Sequence, residues 1–82
     1  MAALETLGFG KTMVRKLQSI GIHSAEELVA LGSKETIFRL KAHYPETCVV
    51  ILYYLEAAIR GVEIKQLDNS SKAELKAYFN QL

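Results

Sequence analysis

The chain has no tryptophan, a single proline, a single cysteine and almost no net charge: ten lysines and arginines stand against nine acids, leaving +1. Each shortage excludes something. A lone Cys48 has no partner for an internal disulfide, which suits a reducing, cytoplasmic setting. Charge near neutrality gives the molecule as a whole no strong pull toward nucleic acid or an anionic membrane, so any polyanion site must come from local arrangement. The most apolar run, CVVILYYL from Cys48 to Leu55, is eight residues, far below the roughly 20 that span a bilayer. The opening MAALETLGFG has neither the basic start nor the apolar core of a signal peptide. No internal repeat, low-complexity tract or linker is evident, so residues 1–82 read as one domain.

Half of the 82 residues are hydrophobic and 23% are charged, the balance of a small packed domain. The pattern is helical throughout. A first helix from about Gly10 to Ile20 carries Met13, Val14, Leu17 and Ile20 at helical spacing, and Gly21 stops it. Ser24 and Glu27 form the Ser-x-x-Glu spacing of a capping box, opening a second helix that buries Leu28 and Leu31 and ends at Gly32. Ser33 is the expected cap of a third helix, with Ile37, Leu40 and Tyr44 on one side. Pro45 suits the first turn of a fourth, from about Glu46 to Arg60. That helix is apolar almost all round, which predicts a central pillar enclosed by the others. VEIKQLDNSS reads as a loop anchored by Val62, Ile64 and Leu67, and a fifth helix from about Ser71 packs Leu75, Tyr78, Phe79 and Leu82. The expected fold is all-α, a compact five-helix domain.

Gly8 and Gly10 flank Phe9 directly before the first helix. Glycine lets another group approach the backbone closely, and free amides at a helix start carry the positive end of the dipole. Lys11, Arg15 and Lys16 follow, with no acid between Gly8 and Ile22. Gly8, Phe9, Gly10, Lys11, Arg15 and Lys16 are therefore the candidate nucleic-acid contacts. The alternative is a corner between packed helices with a solvated basic face. No second Gly-x-Gly is present, and a few phosphate contacts imply weak, salt-sensitive binding.

The stretch GFGKTMVRKLQSIGIHSAEELVALG resembles a helix-hairpin-helix element. That resemblance implies backbone amides offered to a DNA phosphate, contacts that position a protein without reading bases. A wider likeness runs from about Leu4 to Phe79. The runs GIHSAEELVALG, RLKAHYP, LYYLEAAIRGV and KAELKAYF resemble the C-terminal domain of the TfoX/Sxy competence-regulator family. This implies a five-helix domain of helix-hairpin-helix or SAM-like type, with a role in bacterial transcription and DNA-uptake regulation through protein partners or DNA. Members often carry a separate domain ahead of this one, whereas here the hairpin follows closely on Met1. The family's tryptophan-like position after the GV pair has Ile64 nearby instead.

Other chemistry finds little support. His23, His43 and Cys48 stand twenty and five residues apart, matching no zinc pattern, so no metal or other cofactor is expected. His23 reads as part of the turn before the second helix, and Cys48 as a small buried hydrophobe. Glu56, the only charge between Thr47 and Arg60, is placed to pair with Arg60 four residues on, and no enzyme reading follows from it. Lys34, Arg39 and Lys41 read as solvated. Tyr53 and Tyr54 point about 100° apart on their helix, and either, if exposed, is a candidate partner-interface anchor. Two readings stand: a non-catalytic regulatory module that binds a protein partner or self-associates, and a weak, non-specific DNA-contacting module. Neither a membrane nor a small-molecule substrate is indicated.

Overall fold

The computed structural model describes residues 3–82, and among them all regular structure is helical, with no strand. Local signals place the helices. α1 (Lys11–Ser19) ends where the chain folds back on it: Ile22 N–H reaches the Leu17 carbonyl at 2.9 Å, and Gly21 N–H that of Gln18 at 3.1 Å. This closure satisfies carbonyls that the helix end leaves open and turns Ile22 into the core. α2 (Ala25–Leu31) is capped by Ser24, whose buried hydroxyl accepts from Glu27 N–H at 3.2 Å. The Glu27 carboxylate receives that same hydroxyl at 3.3 Å rather than reaching the Ser24 backbone. α3 (Ser33–His43), α4 (Val49–Arg60) and α5 (Asn69–Asn80) complete the set. α4 closes as α1 does, with Val62 N–H on Ala57 O at 3.0 Å and Gly61 in the left-handed conformation that closure requires.

Some boundaries differ from the sequence expectation, each for a physical reason. α4 begins at Val49, with Cys48 as its N-cap, not at Glu46. Pro45 lies instead in a tight turn, where its fixed φ is equally at home. Thr47 closes that turn, its N–H and its hydroxyl both reaching the Tyr44 carbonyl, at 2.9 and 2.6 Å. Ser33 does not cap α3; Gly32 takes the N-cap and the Ser33 hydroxyl turns to Glu56. α5 starts before Ser71, at Asn69, because the Asp68 carboxylate accepts from Ser71 N–H at 3.3 Å. Short 3-10 turns occupy Leu4–Leu7 and Ile64–Gln66, where no element was expected.

α4 packs on α3 and α5, α3 on α2, and the Leu4–Leu7 turn on α1 and α2. Between them lie buried Leu4, Leu17, Ile22, Leu28, Ile37, Leu40, Leu52, Leu55 and Leu75. Each such side chain contributes about 1.5–3 kcal/mol by leaving water. The expectation of an enclosed α4 is corrected. Leu52, Leu55 and Ala57 face inward, while Val50 and Tyr54 are 45% and 51% exposed. A chain of this size has too few elements to cover one helix on every side. Cys48 is likewise exposed rather than buried, and Leu82 projects from the end of α5 rather than packing. Among the described residues no helix is long and apolar enough to cross a membrane.

Candidate interaction site at the glycine hairpin

The Leu4–Leu7 turn delivers the chain to Gly8, whose N–H bonds the Glu5 carbonyl at 3.0 Å. Gly8 has φ +88°, a conformation that L side chains rarely adopt, so glycine is required there. Gly10 differs. Its φ is −75°, and a Cβ at that position meets open space. Neither backbone nor packing requires glycine at Gly10. As the N-cap of α1 it supplies no side chain, and the amides of the first turn go without a side-chain cap at the positive end of the dipole. Phe9, between the two, is half-buried against the core.

The basic candidates separate. Lys11 and Arg15 are exposed, one turn apart, and make no ion pair among the described residues. Lys16 is turned elsewhere: its ammonium stands 5.0 Å over the Tyr44 ring, whose hydroxyl bonds Ser19 Oγ at 2.9 Å. The tyrosines separate as well. Tyr53 is half-buried against the core. Tyr54 lines a groove of about 390 Å³ together with Leu7, Gly8, Phe9, Ala58, Val62 and Ile64. The hairpin and α4, two unrelated candidates in the sequence, are walls of one groove.

Val50 stands one turn before Tyr54 and Ala58 one turn after it, so the three form an uncharged i, i+4, i+8 ridge on the outer side of α4. The four-residue spacing that continues to Val62 was the signal available in the sequence. At the groove's far wall, Glu63 pairs with Lys65 at 3.2 Å, both strongly exposed.

A second cavity, about 300 Å³, opens where α3, α4 and α5 meet, and its walls are polar. Glu56 accepts from Ser33 Oγ at 2.5 Å and from Arg60 Nε at 2.6 Å, and Arg60 Nη1 donates to Ser71 Oγ at 3.2 Å. Burial raises the Glu56 pKa, but the hydrogen bonds from Ser33 and Arg60 and the charges of Arg60 and Lys34 outweigh it and hold the carboxyl below its ordinary value. A carboxylate kept ionised and already accepting two hydrogen bonds is a poor proton acceptor and a good structural tie. Lys34, Arg39 and Lys41 are not merely solvated. Lys34 pairs with Glu74 at 3.3 Å and stands 5.7 Å over the Tyr78 ring, Arg39 pairs with Glu35, and Lys41 stands 4.3 Å over the Phe79 ring. Among the described residues no three His, Cys, Asp or Glu side chains gather as a metal site, and His23 is exposed without a hydrogen bond in its turn.

The model of one protein family, the TfoX C-terminal domain, matches residues 3–79. No curated protein matches the chain. Two crystal structures of Listeria monocytogenes proteins are similar. One, described as a protein of unknown function in a tetragonal form, superposes with a TM-score of 0.89 at 34% identity, over 95% of this chain and 96% of its own. The other, described as an uncharacterized protein in a triclinic form, gives 0.80 at 37% identity, over 83% of this chain and 77% of its own. With its five helices and its match running from the 3-10 turn at Leu4 through α5, the chain belongs to the TfoX C-terminal domain family.

Proposed function

We propose that this domain is a non-catalytic module of a regulator of transcription and competence, and that it docks a protein through the groove between the hairpin and α4. Tyr54 carries the proposal. It is 51% exposed in apolar surroundings, with Phe9 and Val62 beside it and no charge on its ridge. An amphipathic ring in such a place gains much from being covered, and aromatic anchors dominate binding energies. The occupant that fits is the apolar face of another helix, because a row of side chains spaced by four receives the ridges of a second helix.

A photo-crosslinking phenylalanine placed at Tyr54 in living cells tests this. Irradiation is expected to give an adduct whose cross-linked peptide, sequenced by mass spectrometry, falls on an apolar helix. The same group at Lys76 on α5 is expected to give none. An empty result at Tyr54, Val50 and Val62 alike rejects the docking reading.

Duplex DNA is the second reading, favoured by the uncapped start of α1 beside exposed Lys11 and Arg15, which have no ion pair among the described residues. Its test is fluorescence anisotropy of a labelled duplex at two salt concentrations. Lys11→Glu with Arg15→Glu is expected to abolish binding and keep helicity. Gly10→Ser, which fills the N-cap with its own acceptor, is expected to weaken binding without unfolding α1.

A further inference from the structure

The groove does not require a foreign partner. We infer that its occupant is a second copy of this chain, with α4 packed on α4 about a two-fold axis near Tyr54. This rests on the docking reading and names the partner.

Three observations carry it. The first is shape. Val50, Tyr54 and Ala58 form one ridge with a large, a larger and a small side chain. A two-fold axis at Tyr54 sets Val50 of one copy against Ala58 of the other, twice, so bulk meets space. Ridges spaced by four interdigitate at a crossing angle of roughly −50°, and an interface about a two-fold axis is by necessity self-complementary.

The second is charge. α4 carries none from Val49 to Leu55, and the Glu56 carboxylate is turned to Ser33 and Arg60. Two copies therefore meet without like charges opposed. A partner chosen by charge would find nothing on the ridge to read. At the rim stand one acid and one base, Glu63 and Lys65, both exposed. Each is already paired with the other inside its own copy, so the rim brings no net charge to the contact. The other large exposed aromatic behaves differently. Phe38 shares its helix face with Lys34, Glu35 and Lys41, so it stands among charges and not on an uncharged ridge.

The third is size. A stable dimer takes roughly 800 Å² from each partner, about one-sixth of the 4958 Å² this chain exposes. The ridge alone falls short, so the interface extends over the adjoining groove to Phe9, Val62 and Ile64, which continues the same apolar surface. A net charge of +1 opposes the association little.

Sedimentation velocity of the purified chain across the micromolar range is the experiment. The wild type is expected to move from the 9.2 kDa chain mass toward twice that value as concentration rises. Tyr54→Glu is expected to raise the dissociation constant at least about 30-fold, the scale of a hot-spot residue. Val50→Glu is a second probe on the same ridge, and circular dichroism checks that both stay folded. Phe38→Ser is expected to leave the dissociation constant unchanged. A wild type that keeps the single-chain mass at every concentration overturns the inference. So does a dimer indifferent to both ridge variants. A monomeric chain that still cross-links from Tyr54 to an apolar helix of another protein sinks this inference alone, whereas no dimer and no cross-link sinks the docking reading with it.

Discussion

The Glu56 carboxylate accepts from Ser33 and from Arg60, so one side chain of α4 holds the start of α3 and, through Arg60 and Ser71, the first turn of α5. Its pKa in the folded chain lies below the unfolded glutamate value of about 4.3. A depressed carboxylate adds stability above the unfolded pKa and loses it as pH falls through the folded one. Glu56→Gln is expected to cost about 1–2 kcal/mol at pH 7, where the charged hydrogen bonds are lost. The gap between the two proteins is expected to narrow as pH drops below about 4.3. Urea titrations at neutral and acid pH check this, and a gap independent of pH refutes it. Half of this tie was legible beforehand, because Glu56 and Arg60 are four apart on a helix. The Ser33 half was not, since 23 residues separate it from Glu56 and only the crossing of α3 over α4 joins them.

At the scale of the element, α4 shows what an apolar pattern does and does not convey. Periodicity locates a helix and the residues that prefer to leave water, but a helix apolar on all sides gives no direction to its burial. Here α3, α5 and the Ile64–Gln66 turn cover part of the helix and leave Val50 and Tyr54 exposed. Leu55→Ala on the covered side is therefore expected to cost about 2–5 kcal/mol. Val50→Ala on the outer ridge is expected to stay within about 0.5 kcal/mol in dilute, monomeric protein. Thermal melts at low concentration separate the two, and equal losses contradict the exposed ridge. Caps were readable for the same reason that they work: Ser24 and Gly21 act on neighbours a few residues away. The four residues of the Leu4–Leu7 turn are too few to show a period, and the fixed φ of Pro45 serves turns and helix starts alike.

For the whole molecule, a charge of +1 is an average over an uneven surface. α1 carries Lys11, Arg15 and Lys16 and no acid, while α2 opens with Glu26 and Glu27. With Lys16 laid over Tyr44, Lys11 and Arg15 remain beside the hairpin with no ion pair among the described residues. The near-neutral total was evident from composition. The meeting of Phe9 with Tyr54 was not, because they stand 45 positions apart and become walls of one groove only in the folded chain. The cation count yields a number. Two phosphates neutralised by one copy give a log–log salt slope of about −1.8, or about a 12-fold loss of DNA affinity between 50 and 200 mM salt. If two copies joined through α4 engage one duplex, both hairpins contribute, and the slope doubles to about −3.6, or about a 150-fold loss. Anisotropy titrations over that range, with wild type and Tyr54→Glu side by side, read both quantities. A slope that falls by half in the variant ties the phosphate contacts to the dimer. Equal slopes near −1.8 leave each hairpin acting alone. A wild type that binds no duplex at low salt removes the DNA reading and leaves the groove as the working surface.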